Sequence, residues 1–327
     1  MEPSTAVNDP VGISVIVPNY NGSKILRQYL PFAVAACEAY GGPSEIVVSD
    51  DASTDDSEAV VESFPLCRFV RRAENGGFSA NCNFGAEHAK HPVLCFLNSD
   101  AKIGPEFLVH AAQHFADENC FAVTPLGRTV AGNHVADQAL FMSWGAGKMR
   151  HATMLSAEEL EAANYSPPHL CSRVQGAYFL VARKKFDQLG GFDPVYSPYY
   201  WEETDISYRA LKLGWHIVYE PLCEAWHEHS TTISQHSNRI RRVGRRKRSQ
   251  IVFHLVNMHD RRLLTQFVVV TLLNLLTLKP SRLYAFASCL MRSTQILRSR
   301  RRAKREAIRS DKDVIDWGQE RITNCSK

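Results

Sequence analysis

Three carboxylates fall within four residues in YYWEETDISYRALKLGW, the stretch from Tyr199 to Trp215: Glu202, Glu203 and Asp205 follow directly on Tyr199, Tyr200 and Trp201. Acids this close repel one another, and two readings explain them. One is a solvated helix face. The other is a catalytic base with supporting acids, because transfer to a hydroxyl needs a base within hydrogen-bond reach of it. If the segment is helical, Asp205 and Arg209 stand four residues apart on one face and form a supporting ion pair.

Other polar clusters close apolar runs. In GISVIVPNYNG, Pro18 ends the run, and Asn19, Tyr20 and Asn21 follow it, with amides that suit a base or ribose edge. EIVVSDDASTDDS delivers Asp50 and Asp51, which can accept from a pyrimidine N–H or from ribose hydroxyls. Asp and Ser also gather at strand-to-helix turns that bind nothing. PVLCFLNSD delivers Asn98 and Asp100, a pattern that suits a divalent cation held partly by substrate phosphates, or a simple turn. AWHEH carries His227 and His229, which in isolation read as surface histidines. No GxGxxG follows the first run and no GxxxxGK[ST] occurs, which lowers the case for a dinucleotide or P-loop protein.

The elements that must position these groups alternate along the first hundred residues. Gly12–Pro18 reads as a buried strand and SKILRQYLPFAVAACEAY as a helix that Pro31 bends or interrupts. EIVVSDD is a second strand, followed by a helix opened by a capping box of Ser53 and Asp56. CRFVRR, GFSANCNFGAEHAK and PVLCFLNSD continue as strand, helix and strand. This order indicates a mostly parallel, doubly wound α/β sheet with ligands at the carboxyl ends of its strands. Residues ~125–170 lack clear periodicity and read as loops, a lid or an acceptor-side insertion. VQGAYFLVARKKFDQLGGFD then gives a strand and a short helix.

Taken in order, ISVIVPNYNG, VVSDDASTDDS, ENGGFSANCNFGAEHA, VLCFLNSDAKIGPEFL, VQGAYFLVARKKFDQLGGFD and YYWEETDISYRALKLGW, followed by AWHEH, resemble the inverting family 2 glycosyltransferases of GT-A fold. The resemblance runs from about Ile13 to His229 and is strongest to the rhamnosyltransferase-like and galactofuranosyltransferase-like bacterial enzymes. It implies that Pro18 and Asn19 line the nucleotide, with Tyr20 beside them at the strand end. It further implies that Asp50 or Asp51 holds the uracil or thymine and its ribose, and that Asn83 helps to seat the donor. Asp100 stands where the last acid of the DxD motif binds Mg²⁺ or Mn²⁺, Asn98 replaces the first acid, and His227 completes the metal site. Gly176 would line the donor-sugar and acceptor side. The family's F-E-D-V-D-L segment puts Glu203 in the base position, Glu202 before it and Asp205 two after. A sugar nucleotidyltransferase and a non-catalytic scaffold of the same fold are the rival readings. The first lacks a glycine- and basic-rich N-terminal loop, and the second draws on Asn98 and Glu203 as departures from the motifs.

Charge divides the chain. Residues 239–327 carry 22 Lys and Arg against 6 Asp and Glu, whereas residues 1–238 carry 16 against 28. Seven of the ten residues from Arg239 to Arg248 are basic, and the sixteen residues Leu263–Leu278 carry no charge, too few to span a bilayer at ~20 residues. Gln266, Thr271, Asn274 and Thr277 share one side of that run as a helix. An uncharged amphipathic run between Arg clusters suits an interfacial helix on an anionic leaflet, with packing on the catalytic domain as the alternative. Nucleic acid is disfavoured, because the basic stretches lack interleaved aromatics and any recognition motif. The expected organisation is a disordered N-terminus over 1–11, the GT-A domain over 12–238, a membrane-associating region over 239–310 and a C-terminal tail over 311–327. Nine cysteines without metal-site spacing and an N-terminus without signal-peptide features point to the cytoplasmic face of a membrane. The expected donor is a UDP- or dTDP-sugar and the acceptor a saccharide or lipid-linked saccharide.

Overall fold

The computed structural model describes residues 9–131, 134–162, 167–227 and 239–325. The expected disordered N-terminus lies outside the described residues up to residue 8, as do His229 and the expected domain boundary at 238. The strands are β1 (Ile13–Asn19), β2 (Ser44–Asp50), β3 (Cys67–Arg71), β4 (Val93–Leu97), β5 (Ala101–Ile103), β6 (Cys120–Arg128), β7 (Val135–Asp137), β8 (Phe141–Gly145), β9 (Lys148–Ala152), β10 (His169–Cys171), β11 (Tyr178–Ala182) and β12 (His216–His227). The helices within and around them are α1 (Ser23–Tyr40), α2 (Ser57–Glu62), α3 (Phe78–His88), α4 (Phe107–Ala112), α5 (Ala157–Ala162), α6 (Arg183–Gln188) and α7 (Glu202–Lys212). Five more close the chain: α8 (Arg239–Asn257), α9 (Arg261–Leu275), α10 (Pro280–Met291), α11 (Ser293–Glu306) and α12 (Asp311–Cys325).

The main sheet runs β10-β12-β6-β11-β4-β1-β2-β3, with β5 on β12 and β7 on β6. The strands from β4 to β3 are parallel, as their helical crossovers require. The rest corrects the expectation of a mostly parallel sheet. β11 is antiparallel to both β4 and β6, and β5, β7 and β10 also pair antiparallel, so the sheet is mixed. The cause lies in the connection: after β6 the chain makes its insertion, adds β10 to the β12 edge, and then enters between β6 and β4 as β11, antiparallel to both. That insertion holds more order than expected, since β8 and β9 form a separate antiparallel pair and α5 follows it.

Side chains alternate across the central strands. β1 sends Ile13, Val15 and Val17 into the core with α1, and Ile16 into the core behind α3 and α7. Helix α1 continues through Pro31 without a break. The expected capping box is absent: α2 starts at Ser57, and Asp56 makes no side-chain cap. Ser53 Oγ instead donates to Asp50 Oδ1 at 2.5 Å and accepts from the Asn21 N–H at 2.7 Å. A third core joins Tyr196, Tyr208 and Leu211 to Val252, Phe253 and Val256 of α8 and to Val314 and Ile315 of α12. Helix α8, for all its charge, is thus built into the molecule.

Candidate active site

The carboxyl ends of β1, β2 and β4 lie side by side, and register sets what each one presents. Asn19 is opposite Asp50, and both are buried. Asn19 Nδ2 donates to Asp50 Oδ1 at 2.8 Å and to Ser57 Oγ at 2.9 Å, while Asn19 Oδ1 is buried with no protein partner. Asp50 also accepts from the Ser53 N–H at 2.8 Å and from Arg71 Nε at 3.3 Å. Asp51 takes Arg72 at 2.5 Å and the N–H groups of Gly76 and Gly77 at 2.9 and 2.8 Å. The two acids therefore build the strand-end turn and order the glycine loop ahead of α3. Pro18 is half-buried in β1, and Tyr20 stands out from the strand end at 47% exposure.

Asn83 spends its amide on one backbone unit, donating to the Phe192 carbonyl at 2.8 Å and accepting from the Phe192 N–H at 2.9 Å. It ties α3 to the loop before α7. Two residues earlier, Asn81 was not singled out by the motif; it is buried and bonds to the carbonyls of Ser49 and Asn19.

On the other side, β12 pairs with β5 so that His227 is opposite Ala101. That register brings His227 Nε2 to 3.2 Å from Asp100 Oδ1. About 3 Å is the spacing of two adjacent ligands on an octahedral ion with ~2.1 Å bonds, and an oxygen–nitrogen pair suits Mn²⁺. The pair therefore fits a divalent ion. Among the described residues no group of three or more His, Cys, Asp or Glu side chains is arranged to hold a metal. Asn98 sits half-buried at the head of the same turn, its N–H bonded to the Ala177 carbonyl at 2.8 Å.

That bond leads to the acids. A Cβ on Gly176, next to Ala177, would lie 3.5 Å from Glu203 Cγ, so the glycine leaves room against the acid. The metal turn and Glu203 thus both adjoin the segment that leads into β11. Helix α7 begins at Glu202 behind Tyr200 and Trp201, two consecutive non-glycine residues at φ 88° and 77°. Such backbone costs about 1–3 kcal/mol per residue and persists only where the surroundings enforce it. Arg248 of α8 holds the segment that leads into it, donating to the carbonyls of Tyr196 and Ser197 at 2.5 and 2.8 Å, and Trp201 packs on Phe253.

The three acids occupy different environments. Asp205 is fully buried and structural: Tyr196 Oη, Asn257 Nδ2 and Arg209 all donate to it, the last at 2.8 Å as the expected i,i+4 pair. Glu202 is 6% exposed. Burial, together with the neighbouring Glu203 charge, pushes its carboxyl up to about 8, although backbone N–H groups and Arg248 oppose the shift. Glu203 is the accessible acid, 3.3 Å from the Arg173 guanidinium. His151 of β9 lies beyond it, packed on the Trp201 ring, and burial and then the charge of Arg173 push it down to about 3, so it is neutral. Arg173, His151 and Arg248 were not found from sequence. Arg173 stands three residues before Gly176, His151 lies in the aperiodic insertion, and Arg248 is hidden in a charge run.

Known proteins agree with this architecture. The profile described as glycosyl transferase family 2 matches residues 14–186. An uncharacterized glycosyltransferase of Rickettsia typhi is 26% identical over 62% of this chain, which spans 59% of that relative's length. The N-acetylglucosaminyl-diphospho-decaprenol L-rhamnosyltransferase of Mycobacterium tuberculosis is 28% identical over 67% of this chain and 77% of its own. Among solved structures, GalNAc-T7 with UDP, GalNAc and Mn²⁺ superposes at a TM-score of 0.67 with 16% identity, over 97% of this chain and 57% of the other. The Pyrobaculum calidifontis mannosyltransferase with GDP-Man and Mn²⁺ follows at 0.55 with 16% identity, over 98% and 87%. With the family profile covering more than half of its length, this chain belongs to glycosyl transferase family 2.

Proposed function

We propose that the protein is an inverting transferase that moves a rhamnose-like or similar hexose from a UDP- or dTDP-sugar to a saccharide or lipid-linked acceptor of a cell-surface polysaccharide. The observation that carries this reading is that the Asp100–His227 turn and Glu203 adjoin one segment, through Asn98, Ala177 and Gly176. The M. tuberculosis relative, whose name specifies a diphospho-decaprenol acceptor, supports the lipid-linked class.

Asp100 and His227 would hold Mn²⁺ or Mg²⁺, which when bound supplies positive charge to the leaving diphosphate. Glu203 accepts the acceptor hydroxyl proton as its oxygen attacks the anomeric carbon, and the carbon–oxygen bond to the diphosphate breaks on the opposite face. Arg173 orients the Glu203 carboxylate. Glu202 is buried behind it, held above the ordinary carboxylate range, and supports the helix start. Asn19, Asp50, Asp51 and Asn83 act by fixing the strand ends and loops on which the nucleotide rests, and Pro18 and Tyr20 line its base.

The same reading has the protein act at the cytoplasmic face of a membrane. No helix among the described residues is long and apolar enough to cross one. The support is the basic tail and the exposed aliphatic face of α9. A thermal-shift screen of nucleotide sugars with Mn²⁺ identifies the donor. Transfer from it should require the metal and collapse in Asp100→Ala, and undiminished metal-independent activity would overturn the assigned site.

A further inference from the structure

Helix α9 buries Phe267 against His254 and leaves a row of aliphatic side chains outside. Val268, Val269, Leu272, Leu273 and the following Leu276 face out, between 37% and 76% exposed. Leu283, Leu290 and Met291 of α10 are exposed as well. Three polar groups lie on the body side among apolar ones: Gln266 accepts from Trp144 Nε1 at 2.9 Å, and Thr271 and Asn274, with Phe267, Val270 and Leu275, line a cavity of about 150 Å³. A water-facing helix is arranged the other way, and exposed aliphatic side chains in such numbers mark an interaction surface.

The cavity beneath is cationic. Lys148 of β9, Lys247 of α8 and Arg282 of α10 line it, and no Asp or Glu does. Lys247 Nζ donates to Ser281 Oγ at 3.1 Å and Arg282 to the Asn274 carbonyl at 3.0 Å, neutral partners that leave the charges uncompensated. Burial, then Arg282 and Lys279, lowers the Lys247 ammonium from its ordinary value, as expected where cations are crowded without a counter-ion. The volume is about that of five waters, enough for a phosphate group and part of its hydration. Exposed Arg261, Arg262 and Lys279 stand at the two ends of α9.

We infer that this cavity binds the phosphate headgroup of an anionic membrane lipid while the outward valines and leucines of α9 enter the acyl boundary. The occupant must be an anion because three cations face the space, and a lipid because the surface beside it is aliphatic. The inference rests on the membrane placement proposed above and deepens it, from diffuse attraction to a built phosphate site.

The test is sedimentation of the full chain with phosphatidylcholine vesicles, with and without 30 mol% phosphatidylglycerol. Lys148→Gln/Lys247→Gln is compared with Arg298→Gln/Arg301→Gln, which removes the same charge from the exposed face of α11. The wild type should bind the anionic vesicles, and the cavity variant should lose about tenfold more affinity than the control. Equal losses overturn the site and leave the membrane placement standing, whereas a wild type that ignores all vesicles overturns both. Binding only to vesicles doped with a polyprenyl diphosphate would assign the cavity to an acceptor and refute the anchor. Stabilisation by millimolar inorganic phosphate without any vesicle binding would leave a free-anion site and refute the anchor. No hydrogen bond of the Lys148 side chain is seen among the described residues, so Lys148→Gln alone, which should lose severalfold, keeps the test valid if the double variant folds poorly.

Discussion

Glu202 and Glu203 are neighbours at the head of α7, yet burial pushes the first carboxyl up to about 8 and leaves the second partly exposed. Glu203→Gln should lower transfer by about 10²–10⁴-fold, the usual worth of a general base, with nucleotide binding retained in calorimetry. Glu202→Gln copies the neutral acid already present and should cost less than tenfold; the reverse ranking would move the base by one residue. The same burial gives a pH signature. Between an ordinary 4.5 and about 8, the unfolded Glu202 is ionised and the folded one is protonated, so folding takes up a proton. Stability should therefore fall as pH rises through that window, and Glu202→Gln should flatten the urea-midpoint profile and be the more stable form at pH 8. Sequence made the three acids and the Asp205–Arg209 pair legible, because their spacing is local. It could not show that Asp50, Asp51 and Asn83 spend their polar groups on Ser53, Gly76, Gly77 and Phe192, since those partners come from other segments.

Among the elements, the alternation of the first hundred residues was readable because β1, β2 and β4 are buried apolar runs with helical returns. The return strand β11 looks the same as a parallel strand in sequence, since it too is buried on both faces; only its connection reverses it. Helix α8 was the harder case. Its basic run suggests a solvated face, but Arg248 is 1% exposed beneath the Tyr196–Trp201 loop and Asn257 donates to Asp205 at 2.7 Å. Asn257→Ala removes that donor from a buried carboxylate and should destabilise by about 1–3 kcal/mol. Its loss of transfer should follow from the displaced head of α7, so kcat should fall while donor affinity holds. Unchanged denaturation and kcat would show that α8 does not support the catalytic helix.

At the scale of the whole molecule, the acidic body and basic tail visible in the composition are a single folded unit, not a domain with an appendage. Asp311, at the start of α12, accepts from Tyr208 Oη at 2.8 Å and Lys212 Nζ at 2.6 Å on α7, and from the N–H groups of His259 and Asp260. Burial pushes its carboxyl up, but the hydrogen bond and charge of Lys212 outweigh that and hold it below the usual range. Its contribution is therefore present above the unfolded carboxylate value of about 4 and lost as pH falls below it. Further along α12, a Cβ on Gly318 would come within 2.2 Å of the Met142 carbonyl, so the helix lies directly on β8. Deleting residues 239–327 should consequently unfold the acceptor side of the site, not merely release a soluble enzyme. Asp311→Ala, which strands Lys212 in the interior, should cost about 3–5 kcal/mol, read as a lowered urea midpoint at pH 7. The outward row of α9 should behave in the opposite way. Leu272→Gln/Leu273→Gln/Leu276→Gln touches only exposed side chains, so each change should stay within about 0.5 kcal/mol of neutral while vesicle binding is lost. If the triple variant instead unfolds with the Asp311 variant, those leucines are packed within the protein and the membrane face must be sought elsewhere.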